Sequence, residues 1–423
     1  MRDVRVWKRL LGVEQAVVLE AIHLEEEPGV LVAVVRPRKG RRGRCGRCGR
    51  RCPGYDRGEG LRRWRGLDLG TVPVFLEADA PRVACPTHGP TVIAVPWARH
   101  GARQTRAFED TAAWLVTHTS KSAVSALLRV AWRTVGAIVT RVVAEGRAGT
   151  DPFARLRRIG VDEISYKRHH RYLTVVVDHD TGRLVWAAAG RDTATLHGFF
   201  DLLGPERCAR ITHVSADAAD WVAQVVRARC PQAVRCADPF HVVRWAVDAM
   251  DQVRRDAWNA ARRGQRLDHN RGTADPTARM LKKARWALWK NPERLTARQH
   301  QQLAWITKND PRLHRAWLLK EGLRYVFTVK GQAGKDALDR WLSWARRARI
   351  PAFVQVARKI AKEREAIDNN LDHGLSNGLI ESTNTKLRLL TRMAFGFKSP
   401  DALIALALLD RGGYCPDLPG RAT

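Results

Sequence analysis

The order of apolar segments between residues 157 and 238 is the feature that most restricts how this chain can fold. RRIGVDEIS and the two halves of RYLTVVVDHDTGRLVWAAAG are rich in β-branched and aromatic residues, and DHDTG predicts a turn between the halves. Helical spacing in TLHGFFDLLG and WVAQVVRARC then alternates with the short strand patterns RITHVSAD and QAVRCAD. The predicted order β-β-β-α-β-α-β is that of a ribonuclease-H-like α/β sheet.

Two Asp and one Glu stand where such a sheet could hold metal ions. Asp162 lies at or near the end of the first apolar strand, Asp217 follows the strand ITHVSA, and Glu381 lies in the helical pattern NGLIESTNTKLR. Carboxylates suit Mg²⁺ or Mn²⁺, and two such ions about 3.5–4 Å apart can activate a water or a 3′-hydroxyl and stabilise the leaving oxygen. Because a single strand-end Asp is usually a turn residue and a helical Glu is usually solvated, only the order of all three indicates a site.

A long segment separates the second acid from the third. Asp217 and Glu381 are 164 positions apart, too far for a plain sheet of this type, and the charged, helical pattern of 245–375 predicts an inserted helical domain. Eight of the 15 Trp lie within 245–344, among Arg and Lys. They could stack on unpaired DNA bases, although we favour the plainer interpretation that they fill a helical core.

The N-terminal cysteines predict a structural zinc site. Cys45 and Cys48 form a C-x-x-C pair, and Cys85 and His88 form a C-x-x-H pair. Two such pairs on facing turns supply the four ligands of tetrahedral Zn²⁺. Cys52 is a spare thiol that could replace any one ligand. Clustering of this kind is typical of metal binding in a reducing compartment rather than of a disulfide framework.

Charge and helical spacing together indicate a nucleic-acid partner. Lys and Arg number 74 against 43 Asp and Glu, which gives a formal net charge of +31. Segments 108–117, 120–130 and 131–143 predict three short helices, with Ser120 as an N-cap. They fit a helix-turn-helix on double-stranded DNA as well as a plain packing unit, and the neighbouring zinc module favours DNA. Three basic residues are predicted to face outward from these helices: Arg129, Arg133 and Arg141.

No secretory or membrane signal is predicted. The N-terminus carries charge throughout, and the most apolar run, ALIALALL at 402–409, is too short to span a bilayer. We therefore expect a cytoplasmic protein without a membrane partner.

The motifs together resemble the zinc-bearing DDE transposases of bacterial insertion sequences, in particular the ISL3 group. Besides the two zinc-ligand pairs, the resemblance is carried by VPWARHGARQTRAFED, GVDEISYKRHHRYLTVVVD, SADAADW, CADPFHVVRWAVD and NGLIESTNTKLRLLTRMAFGF. It covers nearly the whole chain. It implies a ribonuclease-H-like catalytic core with a helical insertion, and Asp162, Asp217 and Glu381 as metal ligands.

The resemblance also implies a role in DNA binding for an Asp-x-x-His element, Asp238 to His241. His241 could contact a DNA phosphate or orient the active site, or it could simply pack beside Trp245. Asn384 and Arg388 follow Glu381 by three and seven residues, on the same helical face, where they could touch phosphates.

Other acids compete for the ligand positions. Glu163 competes with Asp162, and Asp220 and Asp238 compete with Asp217. We prefer Asp217 because it directly follows the apolar strand ITHVSA.

The predicted organisation is a multidomain α+β chain. It comprises an N-terminal β-hairpin (14–36) and zinc-binding module within 1–104, a helix-turn-helix region at 105–150, the first part of the core at 151–244, the all-helical insertion at 245–375, and the core's C-terminal helix and tail at 376–423. We expect it to bind the element's terminal inverted repeats, cleave the ends and join the 3′-hydroxyl to target DNA. A homodimer or larger assembly is expected because two ends must be cut together.

Two other functions are compatible with parts of this pattern. A catalytically retired copy could act as a DNA-binding repressor, although such copies tend to lose an acid and all three stand here. A ribonuclease-H-type nuclease could act on RNA hybrids or junctions, but the zinc module and the long insertion argue against it.

Overall fold

The N-terminal part consists of two small sheets. A computed structural model describes residues 4–13, 17–167, 171–217, 219–268 and 277–421, so residues 14–16 of the predicted hairpin lie outside the described residues. After helix α1 (Val4–Leu10), one sheet has the order β1-β2-β5-β4 and the other β3-β6-β7. The strands are β1 (Val17–Glu25), β2 (Val30–Pro37), β3 (Gly54–Asp56), β4 (Leu61–Arg65), β5 (Val74–Asp79), β6 (Arg82–Cys85) and β7 (Gly89–Val92). Antiparallel pairing of β1 with β2 confirms the hairpin over its described residues.

Three helices follow, as the sequence predicts: α2 (Arg106–His118), α3 (Lys121–Leu127) and α4 (Trp132–Gly149). Thr105 caps α2 by accepting a hydrogen bond from the Phe108 N–H, and Ser120 caps α3 through the Ala123 N–H. Val124, Val135 and Ile138 are buried where the helices meet. No single described helix is long and apolar enough to cross a membrane. By length and composition alone, α3 and α4 taken together would be long and apolar enough, but they are bent by 106° at the break between them.

Two of the three Arg side chains predicted to face outward from these helices are held by carboxylates. Arg141 donates to Glu109, which is fully buried, at 2.6 and 2.8 Å, because its position on α4 faces α2. Arg129 lies in the turn after α3 and pairs with Asp68 of the N-terminal module. The prediction was therefore wrong for Arg141. Arg129 is exposed, as predicted, but its guanidinium is paired with Asp68. Arg133 is exposed and forms no ion pair among the described residues.

A five-stranded sheet forms the centre of the molecule. Its strands are β8 (Arg158–Lys167), β9 (Arg171–Asp178), β10 (Leu184–Ala189), β11 (His213–Ala216) and β12 (Val234–Ala237), in the order β10-β9-β8-β11-β12. The first three are antiparallel neighbours, and β11 pairs in parallel with both β8 and β12. Helices α5 (Thr193–Leu203), α6 (Pro205–Cys208) and α7 (Asp220–Arg229) connect the strands, which confirms the predicted order of elements.

Both faces of this sheet are covered. Val176 and Val185 face α5 and α7, while Val175 and Val177 face the other side. There they pack in one cluster with α2, α4 and the last two helices, α16 (Gly378–Met393) and α17 (Pro400–Arg411). The three N-terminal helices and the sheet thus share one hydrophobic core. The segment TDPF at 150–153, which joins α4 to the sheet, is packed as well, since Phe153 is buried with its ring 6.0 Å from that of Phe199.

The helical insertion has its own core. Its helices are α8 (Pro239–Asp268), α9 (Thr277–Lys283), α10 (Arg285–Trp289), α11 (Ala297–Asn309), α12 (Pro311–Val326), α13 (Gly331–Arg347), α14 (Pro351–Lys362) and α15 (Arg364–His373). Trp341 is buried in this core, and five more of the eight Trp pack against it. Trp286 and Trp344 are exposed. Core filling is therefore the main role of these rings. Helix α8 runs without a break across residue 244, so no loop separates sheet and insertion there.

We expect Arg141→Ala to destabilise the protein by about 2 kcal/mol, because it leaves the buried Glu109 carboxylate with Arg99 as its one remaining cation among the described residues. Arg133→Ala, on the same helix but exposed, should change the free energy of unfolding by less than about 0.5 kcal/mol. Urea unfolding of both variants measures the difference. Equal stability of the two would contradict the structural role assigned to Arg141.

Candidate metal centres and their surroundings

The predicted zinc ligands converge at one point. Cys45 and Cys48 lie in the turn before β3, Cys85 ends β6 and His88 precedes β7. The Cys48 and Cys85 sulfurs are 3.7 Å apart, and His88 Nδ1 lies 3.5 Å from Cys85 Sγ and 3.7 Å from Cys45 Sγ. A tetrahedron with Zn–S bonds of about 2.3 Å has edges of about 3.8 Å, so the four atoms fit Zn²⁺.

Local hydrogen bonds favour the thiolate that zinc requires. Burial raises the pKa of the Cys85 thiol, but His88 and the backbone N–H groups of Thr87 and His88 lower it to about 6. Cys52 is buried beside the four ligands, and its Sγ lies 3.4 Å from the Arg50 carbonyl oxygen. It is not part of the group of four whose ligand atoms all lie within 4.8 Å of one another.

The register of three parallel strands brings three Asp to one level. Ala216 on β11 is opposite both Val161 on β8 and Ala237 on β12. The next residue on each chain segment is Asp162, Asp217 and Asp238, respectively. The expectation that Asp162 ends its strand was wrong, because β8 continues to Lys167. Asp162 instead follows Val161, the last residue of β8 that pairs with β11.

His241 closes this cluster from the first turn of α8. Its Nε2 lies 2.7 Å from Asp217 Oδ1 and 3.8 Å from Asp238 Oδ2. Oxygen atoms of Asp162 and Asp217 and a ring nitrogen of His241 lie within 4.8 Å of one another, close enough to share one metal ion. Asp238 is almost fully buried beneath them, so it cannot meet DNA directly as the sequence suggested.

Burial and crowding of like charges shift the protonation of these groups. Burial and then the charge of Asp217 raise the pKa of Asp162 to about 7, and burial also raises the pKa of Asp238. Burial opposes protonation of His241, yet the neighbouring carboxylates raise its pKa above the usual range. Asp238 Oδ2 and the buried Asn384 Oδ1 have no hydrogen-bond donor among the described residues. A hard cation would satisfy such oxygens.

Two Asn residues dock helix α16 onto the cluster, one through its side chain and one through its backbone. Asn384 Nδ2 donates to Asp162 Oδ2 at 2.7 Å, which assigns Asn384 to holding the carboxylate and corrects the predicted phosphate contact. Asn377, at the start of the helix, donates its backbone N–H to Asp238 Oδ1 at 3.3 Å. Ser215 Oγ donates to the Asn377 side chain and lies 2.6 Å from His179 Nε2.

Glycine 160 permits this close approach. A Cβ atom at Gly160 would lie 2.1 Å from Ile380 Cδ1, so only glycine lets α16 sit this near β8. Sequence reasoning missed Asn377, Ser215 and His179. The i, i+4, i+7 spacing of Asn377, Glu381 and Asn384 was the available signal, because it puts the two Asn on the face that carries the acid.

Glu381 and Arg388 stand at the rim. Both are exposed on α16, and Glu381 lies outside the group of atoms that can share one ion. Its charge nevertheless contributes to the raised pKa of Asp238, which puts it beside the cluster. Of the competing acids, Asp220 is exposed and pairs with Lys362 at 2.8 Å, and Glu163 pairs with Arg191 at 3.5 Å.

Comparisons with known proteins give one consistent result. A family model described as a transposase matches residues 159–407, a helix-turn-helix domain of transposase family ISL3 matches 93–143, and a zinc finger of the transposases of IS204, IS1001, IS1096 and IS1165 matches 41–88. The transposase for insertion sequence element IS1557 of Mycobacterium tuberculosis is 64% identical over all of this chain and 98% of its own length. The transposase for IS1001 of Bordetella parapertussis is 25% identical over 92% of this chain and 94% of its own.

Cys48→Ser should abolish stoichiometric zinc binding, because it removes one of four converging ligands, while Cys52→Ser should retain it. Metal analysis of the purified variants checks this. Loss of zinc in Cys52→Ser, with zinc retained in Cys48→Ser, would show that Cys52 replaces a ligand.

Proposed function

Because the chain belongs to the ISL3 family of transposases, we propose that its central sheet is a ribonuclease-H-like core in which Asp162, Asp217 and Glu381 hold the divalent metal ions for cutting and joining DNA. The observation that carries this proposal is that Asp162, Asp217 and Asp238 lie side by side, each directly after the last residue of the parallel pairing among β8, β11 and β12. The strand order β10-β9-β8-β11-β12, with the three antiparallel strands on one side, supports the ribonuclease-H-like assignment of the sheet.

The acids have separate tasks in this proposal. Asp162 and Asp217 offer oxygen atoms within reach of one ion, and Glu381 approaches from α16, where Asn377 and Asn384 fix the helix. Mg²⁺ or Mn²⁺ bound there would polarise a phosphate and lower the pKa of an attacking water or 3′-hydroxyl.

His241 and Asp238 support that site. The His241 ring lies 2.7 Å from Asp217 Oδ1 and so fixes the Asp217 carboxylate. Its positive charge also offsets the repulsion between Asp217 and Asp162. A protonated His241 also places positive charge at the mouth of the cluster, where a scissile phosphate would enter.

Recognition of the element's ends belongs to the N-terminal part. Eight of the 14 residues in 38–51 are Lys or Arg, and those beside the zinc ligands, Arg47, Arg50 and Arg51, are exposed. Exposed Arg133 begins the third helix of the helix-turn-helix unit, the position from which such helices meet the major groove. We propose that these surfaces bind the terminal inverted repeats and that two copies act together, one on each end.

A retired DNA-binding relative would have the same N-terminal modules but would not need the charged cluster. Crowded carboxylates with unsatisfied oxygens destabilise a fold unless a cation binds them. Retention of the whole cluster therefore favours an active enzyme over a repressor.

Asp162→Asn should abolish Mg²⁺-dependent cleavage of a supercoiled plasmid that carries the element's own ends, because it removes a metal-binding charge without changing shape. Binding to the ends should remain. Asp220→Asn is the matched control, since Asp220 is an exposed Asp three residues after Asp217 and pairs with Lys362. Cleavage that survives in Asp162→Asn would overturn the assignment of Asp162, and loss of cleavage in Asp220→Asn would move the second metal-binding position from Asp217 to Asp220.

Asn384→Ala should slow cleavage by about 10–100-fold, because outer groups that hold a metal-binding carboxylate have effects of that size. Ser382→Ala, exposed on the same helix, should cleave at the normal rate. Single-turnover rates at saturating Mg²⁺ compare the two. Equal rates would show that the hydrogen bond to Asp162 has no part in the reaction.

A further inference from the structure

Helix α16 carries an exposed stripe that leads away from the candidate catalytic centre. Glu381, Thr385, Arg388 and Arg392 follow one another at intervals of four and three residues, so they share one face, and all four are exposed. No acidic residue occurs between Glu381 and Asp401. Among the described residues, Arg388, Arg392 and the nearby Lys398 form no ion pair, unlike many other cations of this protein.

Phe395 stands at the far end of that stripe. Its side chain is 99% exposed, the highest value among the large hydrophobic residues that remain at the surface. Its backbone has φ 53°, a left-handed conformation that is unfavourable for a residue with a Cβ. Phe397, two residues later, packs against the core. Folding therefore uses Phe397 and gains nothing from the ring of Phe395.

We propose that duplex DNA lies along this face of α16, with Arg388 and Arg392 on its phosphates and Phe395 wedged between two base pairs. This inference rests on the proposed function, because it takes the scissile phosphate to lie beside Glu381. Met393, the last residue of α16, follows Glu381 by 12 residues, about 18 Å at 1.5 Å per residue, and Phe395 lies two residues beyond it. At about 3.4 Å per base pair, the wedge enters about six base pairs from the cut.

Charge decides between DNA and a second protein as the occupant. Phe395 borders a largely apolar cavity that Trp132 and Phe397 also line, so apolar surface alone would suit either occupant. The exposed cations Arg392 and Lys398, which form no ion pair among the described residues, and the lack of any acidic residue between Glu381 and Asp401 favour a polyanion. Exposed aromatic and aliphatic wedges among basic residues are a known means of unstacking a base step and bending the duplex.

The test uses the full-length protein and a duplex spanning the element's own end and its flank, with 2-aminopurine placed in turn at successive base steps on both sides of the boundary. Fluorescence is read in EDTA, so no cleavage is needed. We expect a several-fold rise confined to a step about six base pairs from the boundary, which Phe395→Ala removes while weakening binding about tenfold. Phe395→Trp should restore the signal. Leu389→Ala is the matched control, an exposed apolar residue of the same helix that lies off the stripe.

Each outcome decides the point. A localised rise that depends on an aromatic ring at 395 supports the wedge, even if the cleavage assay fails and the proposed catalytic function falls. No rise, a rise that persists in Phe395→Ala, or equal loss in Leu389→Ala overturns it. If Phe395→Ala instead turns a dimer into a monomer in sedimentation, with no change at any base step, the ring belongs to a contact between copies and the wedge is wrong. Thermal unfolding of each variant verifies that it is folded.

Discussion

Parallel pairing of β11 with β8 and β12 is the constraint on which the rest of the structure depends. It sets three carboxylates side by side in a largely buried position, where burial and then the charge of Asp217 raise the pKa of Asp162 to about 7. That unfavourable arrangement is stabilised by hydrogen bonds from Asn384 and Asn377 of α16, which is far away in sequence, and by the close charge contact of His241 in α8 with Asp217. The sheet thus positions the charges, and the helices that follow it compensate them.

Sequence reasoning reached the parts of this site that are encoded locally. The four zinc-ligand positions were predicted from two short spacings, C-x-x-C and C-x-x-H. Asp162 and Asp217 were predicted from apolar strand patterns, one that contains Asp162 and one that Asp217 directly follows. The order of elements in the sheet was predicted for the same reason, since strand and helix periodicity are properties of short segments.

Contacts between distant segments could not be predicted in this way. Arg141 was expected to face outward because a charged residue on a helix is normally solvated, and the sequence of α4 does not reveal that Glu109 of α2 lies against it. Asn384 was assigned to phosphate because its partner Asp162 is 222 positions away. Asp162 was placed at a strand end because nothing in β8 reveals that β11 is shorter than its neighbour.

Helix α8 gives this architecture a mechanical property. Its 30 residues begin directly after Asp238 and continue into the insertion, a rod of about 45 Å with His241 in its first turn. Since no loop interrupts the rod, a tilt of the insertion is transmitted to the imidazole at its base. A few degrees of rotation about that base move the far end by several ångströms, whereas His241 shifts by a fraction of one. The insertion therefore acts as a long lever arm, in which a large movement at the far end of α8 becomes a small displacement of His241 beside the carboxylates.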